Sequence, residues 1–245
     1  MILITRPIKE AKILAKEIKQ FNVKTFNEPL TSFKYFKKEI TFNNKKLFII
    51  TSSQAVQALR KYQSNYSQII SEGEFVVVGV KVVNELNSLG IKKIIKNFST
   101  SNSLVKYLTL KKFKERKIVY LCGTVISQDF INGLKNNRIN YQKKIIYEVI
   151  AKKQISKKCF DLMKNKKIKI VLIYSEYSGK LFSKFINEND LNKFVNGIGI
   201  ICLSKRISKV VKKLIPHANI LYSRSPNQNA LLAKLQSQLI IDKKS

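Results

Sequence analysis

Hydroxyls and glycines gather where short apolar runs stop. Thr51-Ser52-Ser53 follows the run 47–50, Gly79 follows 75–78, and Cys122-Gly123-Thr124 follows 117–121. In the same way Thr5-Arg6 follows 2–4, Ser175 follows 168–174, Ser204 follows 199–203 and Ser223 follows 220–222. Ser and Thr at such places cap the helix that comes next, and the backbone N–H groups at a helix start bind anions. This pattern suits holding a ligand at the helix starts.

Residues for stronger chemistry are scarce. There is no GxxxxGK[ST] phosphate loop, since Gly179-Lys180 follows Ser178 without the upstream glycine. No GxGxxG follows an apolar run, because Gly197-Ile198-Gly199 precedes one, and no GxSxG is present. A Ser-His-Asp triad would have to use His217, the only histidine, and a lone His just before a strand is more often a surface or packing residue. Cys122, beside Gly123, is a nucleophile candidate by position, or else a small packing residue. Glu10 and Glu17 share one helical face and both read as solvated. The dearth of acid, base and metal constellations excludes most hydrolase and metalloenzyme classes.

The elements that must position these turns alternate regularly. Helical periodicity covers 8–20, with Ile8, Ala11, Leu14, Ala15 and Ile18 on one face and Pro7 suited to its first turn. Further helices are expected over 55–62, 80–89 (closed by Gly90), 102–110, 126–137, 156–164, 178–187, 205–214 and from Ser225 to about Leu239. Strands are expected at 2–5, 23–26, 47–50, 75–79, 93–95, 117–121, 140–150, 168–174, 199–203 and 220–222. Alternation of this length means parallel sheets with helices on both faces, and two sheets of four or five strands fit better than one. Ligands bind such sheets at the carboxyl ends of the strands, where the hydroxyls and glycines lie.

The 245 residues include 47 Lys+Arg against 15 Asp+Glu, a formal charge of +32. Charge of that size raises nucleic acid as a partner. Lysine pairs recur from Lys37-Lys38 through Lys45-Lys46 and Lys111-Lys112 to Lys212-Lys213, and even the stretch poorest in acids, 86–147, keeps Glu115 and Asp129. An even spread reads as a solvated background, so no nucleic-acid partner is expected. A positive cleft would still steer an anionic small molecule. The 44% hydrophobic share argues against disorder, and no apolar run approaches the ~18 residues of a membrane helix. The first residues lack the pattern of a signal peptide. Cys122, Cys159 and Cys202 are far apart with no CxxC pair, so a disulfide framework or a structural zinc is not expected, and a cytoplasmic setting is.

Several strings agree with one family. Thr5-Arg6-Pro7 and Pro29-Leu30-Thr31 come first, then Ile49-Ile50-Thr51-Ser52-Ser53-Gln54-Ala55-Val56 and Val76-Val77-Val78-Gly79. Next are Tyr120-Leu121-Cys122-Gly123 with Asp129, and Tyr147-Glu148-Val149. Tyr174-Ser175 with Ser178-Gly179 and Phe182, Cys202-Leu203-Ser204, and Ser225-Pro226 leading to Ala230-Leu231-Leu232 complete the order. Over nearly the whole chain this resembles the uroporphyrinogen-III synthase family. The resemblance implies two doubly wound parallel-sheet α/β lobes joined by a two-stranded connector, the second lobe inserted in the first. Lobe one would be 1–29 and 151–245, lobe two 37–142, and the connector 30–36 and 143–150, a hinge about which the lobes open and close.

It further implies cyclisation of hydroxymethylbilane to uroporphyrinogen III, with inversion of ring D and loss of water, without metal or organic cofactor. The expected enzyme is a monomer, with possible transient contact with hydroxymethylbilane synthase. Unaided closure gives the uninverted isomer, so the enzyme's work is mainly orientation of a flexible polycarboxylate. The residues expected to bind it are Arg6, Thr51, Ser52, Ser53, Gly79, Gly123, Thr124, Ser175 and Ser204. Each hydroxyl serves also, or instead, as a helix cap, and Arg6 either meets a substrate carboxylate or neutralises an internal acid. Tyr147 matches a connector tyrosine, whose phenol would assist departure of the hydroxyl or merely pack. Threonines that some relatives carry after Gly79 and after Ser204 are missing, Tyr177 replaces a small residue, and Lys81, Lys205 and Arg206 are the candidate replacements for lost contacts. Read from charge instead, the chain would be a non-catalytic two-lobed α/β binding protein for an anionic ligand or nucleic acid. The lost threonines raise a third reading, a degenerate synthase with a regulatory role.

Overall fold

The computed structural model describes residues 1–40, 46–110, 113 and 116–244, with side chains up to 241. Lys45, Lys111, Lys112 and Glu115 lie outside the described residues. In chain order come β1 (Ile2–Ile4), α1 (Ile8–Ile18), β2 (Thr25–Asn27), β3 (Thr31–Tyr35), β4 (Lys46–Ile50), α2 (Ser53–Lys61) and α3 (Ser67–Glu72). Then follow β5 (Glu74–Val78), α4 (Val80–Asn87), β6 (Ile94–Phe98), α5 (Ser101–Leu108), β7 (Lys117–Gly123), α6 (Gln128–Asn136) and β8 (Tyr141–Ala151). The last are α7 (Lys157–Lys164), β9 (Ile170–Ile173), α8 (Glu176–Glu188), α9 (Asn192–Val195), β10 (Gly199–Cys202), α10 (Lys205–Leu214), β11 (Asn219–Tyr222) and α11 (Gln228–Lys244).

Two compact units result, one of Met1–Ser32 with Ile150–Ser245 and one of Phe33–Val149. The first holds a five-stranded sheet in the order β11-β10-β9-β1-β2, parallel throughout. One face of it packs Leu3, Val171, Ile173, Ile200 and Cys202 against α7, α8 and α10. The other packs Ile2, Ile4, Ile170, Leu172 and Ile201 against Leu14 and Ile18 of α1 and Leu231 and Leu235 of α11. Strands this short, apolar on both sides, are what a sheet covered on both faces requires. Gly179 in α8 permits its close approach to α10, since a Cβ there would lie 2.8 Å from Cγ2 of Val211.

The second sheet runs β3-β8-β7-β4-β5-β6, with every pair from β8 to β6 parallel. Its sixth strand exceeds the expected four or five because β3 joins beside β8. The Phe36 N–H donates to Ile146 O and the Lys152 N–H to Leu30 O, a crossed register that makes this pair antiparallel. Phe48, Phe75, Val77 and Leu121 face α2 and α4, and Leu47, Val76, Ile118 and Tyr120 face α5 and α6.

Other differences are local. Pro7 sits at the N-cap position, one residue before α1. A 3-10 turn over Lys19–Phe21, ended by Asn22 at φ 55°, prolongs the end of α1 and delays β2 past the expected start at 23. α3 and α9, at six and four residues, are too short to give a helical period. Just past the carboxyl ends of β2 and β8 the buried Glu28 accepts hydrogen bonds from Ser156 N (2.9 Å) and Ser156 Oγ (2.6 Å) and pairs with Lys152.

Candidate active site

In each sheet the strand order reverses once, between β1 and β9 in the first unit and between β4 and β7 in the second. Crevices at such reversals, beyond the carboxyl ends of the strands, are where doubly wound sheets bind ligands. Arg6 and Ser175 follow β1 and β9, and Thr51, Ser52, Ser53, Gly123 and Thr124 lie at the ends of β4 and β7. Ser204 and Gly79 stand one strand further out, after β10 and β5.

The second unit brings its candidates together around two phenols. Ser52 caps α2, its side chain accepting from Gln54 N at 3.2 Å, and Ser53 is the first residue of that helix. The Thr51 hydroxyl shares a 2.8 Å hydrogen bond with the Tyr120 hydroxyl. Burial pushes the Tyr120 phenol well up from its ordinary value, and the bond to Thr51 opposes that. Tyr120 was missed by the sequence reading as a site residue, and its burial under Thr51 has no local signal.

Tyr147 is 5% exposed. Its ring lies against Gly123, where a Cβ would sit 2.3 Å from Cε2, and edge-on to Phe33 with centroids 6.0 Å apart. A register shift between Cys122 and Gly123 puts two steps of β8 against one of β7. Before the shift Tyr141 and Ile145 pack on the α5–α6 side; after it Tyr147 and Val149 join Ile146 on the α2–α4 side. Bulges re-aim side chains in this way. Burial raises the Tyr147 phenol, and hydrogen bonding with the Ser52 side chain and the Gly123 backbone pulls it partly back. The neutral, proton-bearing phenol is therefore the form present near neutrality. Thr124 completes the turn, its N–H donating to Tyr147 O at 3.2 Å and its Oγ1 accepting from Val149 N at 3.0 Å. Gly79, at φ 98°, precedes α4 without a side-chain cap, and Val80 beyond it is 67% exposed.

In the first unit the hydroxyls are occupied by their helices. Ser175 Oγ accepts from Ser178 N at 3.0 Å and Ser178 answers with a reciprocal bond, a capping box. Ser204 Oγ accepts from Ile207 N at 3.3 Å. Arg6 donates from Nη1 to Gln228 Oε1 at 2.8 Å and lies over the Tyr174 ring, 4.2 Å from its centroid. Gln228 Nε2 in turn donates to both carboxylate oxygens of Glu17. The reading of Glu17 as solvated is thereby corrected: it is half-buried and bound, although Gln228 lies 211 residues away.

Other candidates are spent elsewhere. Lys81 pairs with Glu85 at 3.6 Å and Arg206 with Glu176. Burial pushes the Cys122 thiol up to about 12, a packing residue and not a nucleophile at neutral pH. His217 is exposed. Among the described residues no group of three or more His, Cys, Asp or Glu could hold a metal, and no helix is long and apolar enough to cross a membrane.

Two doubly wound units, each gathering helix starts, hydroxyls and a glycine or arginine at its strand-order reversal, define a two-unit α/β protein of the doubly wound class. The family model described as uroporphyrinogen-III synthase HemD matches residues 12–233. The chain therefore belongs to the uroporphyrinogen-III synthase family, the cyclising lyases of heme biosynthesis. No curated protein matches it in sequence. Among solved structures it is similar to uroporphyrinogen-III synthetase from Helicobacter pylori 26695, at 16% identity and TM-score 0.66 over 97% of this chain and 98% of that one. It is also similar to a mutant uroporphyrinogen III synthase from the extremely thermophilic bacterium Thermus thermophilus, at 10% identity and TM-score 0.63 over 100% and 99% of the two chains. The fold expectation is borne out, and the non-catalytic binding-protein reading is left without support.

Proposed function

We propose that this chain closes hydroxymethylbilane to uroporphyrinogen III by orientation, with Tyr147 assisting loss of the substrate hydroxyl as water. The observation that carries this is the setting of Tyr147. Its ring is buried against Gly123, beside the strand-order reversal of its sheet, and burial keeps its phenol protonated. A protonated phenol donates a hydrogen bond to a leaving hydroxyl, a modest form of general-acid help. The remaining work is positioning. Helix starts at Ser52, Ser53, Gly79, Ser175 and Ser204 offer N–H groups to carboxylates, with Thr51, Gly123 and Thr124 shaping the turns and Arg6 adding charge. The exposed Val80 and Val125 beside them suit the apolar faces of pyrrole rings.

In this reading 30–36 and 143–150 are the connector between lobes 1–29 with 151–245 and 37–142. The enzyme works in the cytoplasm as a monomer that meets the upstream hydroxymethylbilane synthase transiently. The test is the isomer formed from hydroxymethylbilane made in situ. Type III product is expected, and type I alone overturns the assignment. Tyr147→Phe should lower kcat about tenfold or more while KM stays near wild type, as for a group acting in the transition state. Wild-type turnover in that variant removes the role given to the hydroxyl.

A further inference from the structure

The first unit holds a hydrogen-bonded chain whose middle member the proposal above leaves without a role. Gln228 opens α11, and its amide lies between Arg6 and Glu17. A carbonyl oxygen only accepts and an amide NH2 only donates. The carboxylate of Glu17 draws the NH2 at 2.8 and 2.6 Å, so the oxygen is left facing Arg6 Nη1 at 2.8 Å. The guanidinium is thus held at one edge by an acceptor and on one face by the Tyr174 ring, 4.2 Å away. A planar fork fixed at edge and face keeps its other N–H groups aimed in one direction.

Arg6 is fixed without being neutralised. Among the described residues no carboxylate is within ion-pair distance of it, and the nearest acid in the chain of bonds, Glu17, is separated from it by the neutral amide. A direct Glu17–Arg6 pair would have held the arginine equally well and cancelled its charge. The guanidinium covers the face of Tyr174, whose phenol burial pushes up to about 12 while the neighbouring Arg6 charge opposes that.

We propose that Gln228 is a positioning residue for the cyclisation: clamped by Glu17, it aims Arg6 at a substrate carboxylate while leaving the guanidinium charge intact. The inference rests on Arg6 being a substrate-binding residue. Its test combines kinetics on hydroxymethylbilane with nitrogen-15 NMR of the Arg6 guanidinium in the free enzyme. Gln228→Leu should release the Arg6 Nη groups into fast rotation and raise KM about tenfold with kcat within about twofold, the loss of roughly one charge-assisted hydrogen bond. Gln228→Glu should raise KM further, because a carboxylate at that place neutralises Arg6. A purely structural role predicts a lower melting temperature without this order of KM values. If Arg6→Ala raises KM while both Gln228 variants keep wild-type KM and slow Nη rotation, the inference is overturned alone. If Arg6→Ala leaves KM unchanged, the role given to Arg6 is wrong and the inference is overturned with it.

Discussion

The two units solve one problem, presenting donors at a strand-order reversal, with different materials. In the second unit the reversal is backed by two buried phenols, Tyr120 beneath Thr51 and Tyr147 beneath Gly123. In the first, the serines cap their own helices and the distinctive group is a charged arginine held by a neutral amide. Buried phenols keep their protons and sit rigidly in the packing, so they can donate at a fixed point. An arginine at a half-buried edge carries net charge for an anion. In the proposed reading this difference divides the labour: the second unit supplies the proton-dependent step beside its N–H donors, and the first adds a charged contact for a carboxylate.

The sharpest way to break this division is a pair of glycines. Gly123→Ala would place a Cβ 2.3 Å from Tyr147 Cε2 and 2.5 Å from Cζ, and Phe33 packs edge-on against the same ring. The ring must shift, at a cost of about 1–3 kcal/mol, and kcat should fall at least about tenfold. Gly179→Ala, in the first turn of α8 and in the unit that holds neither phenol, meets Val211 Cγ2 at 2.8 Å and Ile173 Cγ2 at 3.5 Å, and should cost stability at nearly unchanged kcat. Urea unfolding with steady-state kinetics of both variants decides. Equal losses of kcat would end the claim that the second unit holds the proton-dependent step.

A smaller effect is expected from Thr51→Val, which keeps the shape and removes the partner of the buried Tyr120 hydroxyl. Leaving that phenol unsatisfied should cost about 1–3 kcal/mol with little change in KM. A KM rise exceeding the stability loss would move Thr51 from support of Tyr120 to direct contact with substrate. The phenols also make a pH signature. Burial raises Tyr120 and Tyr147, so the unfolded chain ionises first, near pH ~10, and binds fewer protons than the folded one. Their contribution to stability is complete below that pH and is lost as pH rises through the folded values. Tyr120→Phe should flatten the alkaline decline in urea midpoints, and an unchanged decline would show that its ionisation is not what the fold resists.

What the sequence revealed follows the range of the forces involved. Ser52, Thr100, Ser175 and Ser204 are legible as caps because a cap bonds to an N–H two or three residues on. Gly90 is legible as a helix end and takes φ 88°. The strand at 140–150 is legible too, but alternation places Tyr147 with Tyr141 and Ile145, whereas the bulge moves it to the opposite face. Nothing local announces that extra residue. Glu17 reads as solvated and Arg6 as a partner for a substrate carboxylate or an internal acid, and nothing in the sequence joins either to Gln228, because two contacts spanning 211 and 222 residues exist only once β1 and α11 meet in the first unit. Glu28 was invisible for the same reason, its partners Lys152 and Ser156 lying 124 and 128 residues on.

The smallest expected effects come from the serines of the first unit, and they bear most directly on the comparison. Ser204→Ala removes one side-chain bond to Ile207 N and should cost about 1 kcal/mol. Ser175→Ala removes one partner of a reciprocal pair with Ser178 and should cost somewhat more. If these hydroxyls serve only their helices, KM should stay near wild type in both variants, because the backbone N–H groups offered to a carboxylate remain. A KM rise larger than the stability loss in either one would mean that the hydroxyl reaches the substrate. The first unit would then recognise carboxylates through side-chain hydroxyls as well as through backbone N–H groups and Arg6, and the contrast with the second unit would narrow to the presence of charge.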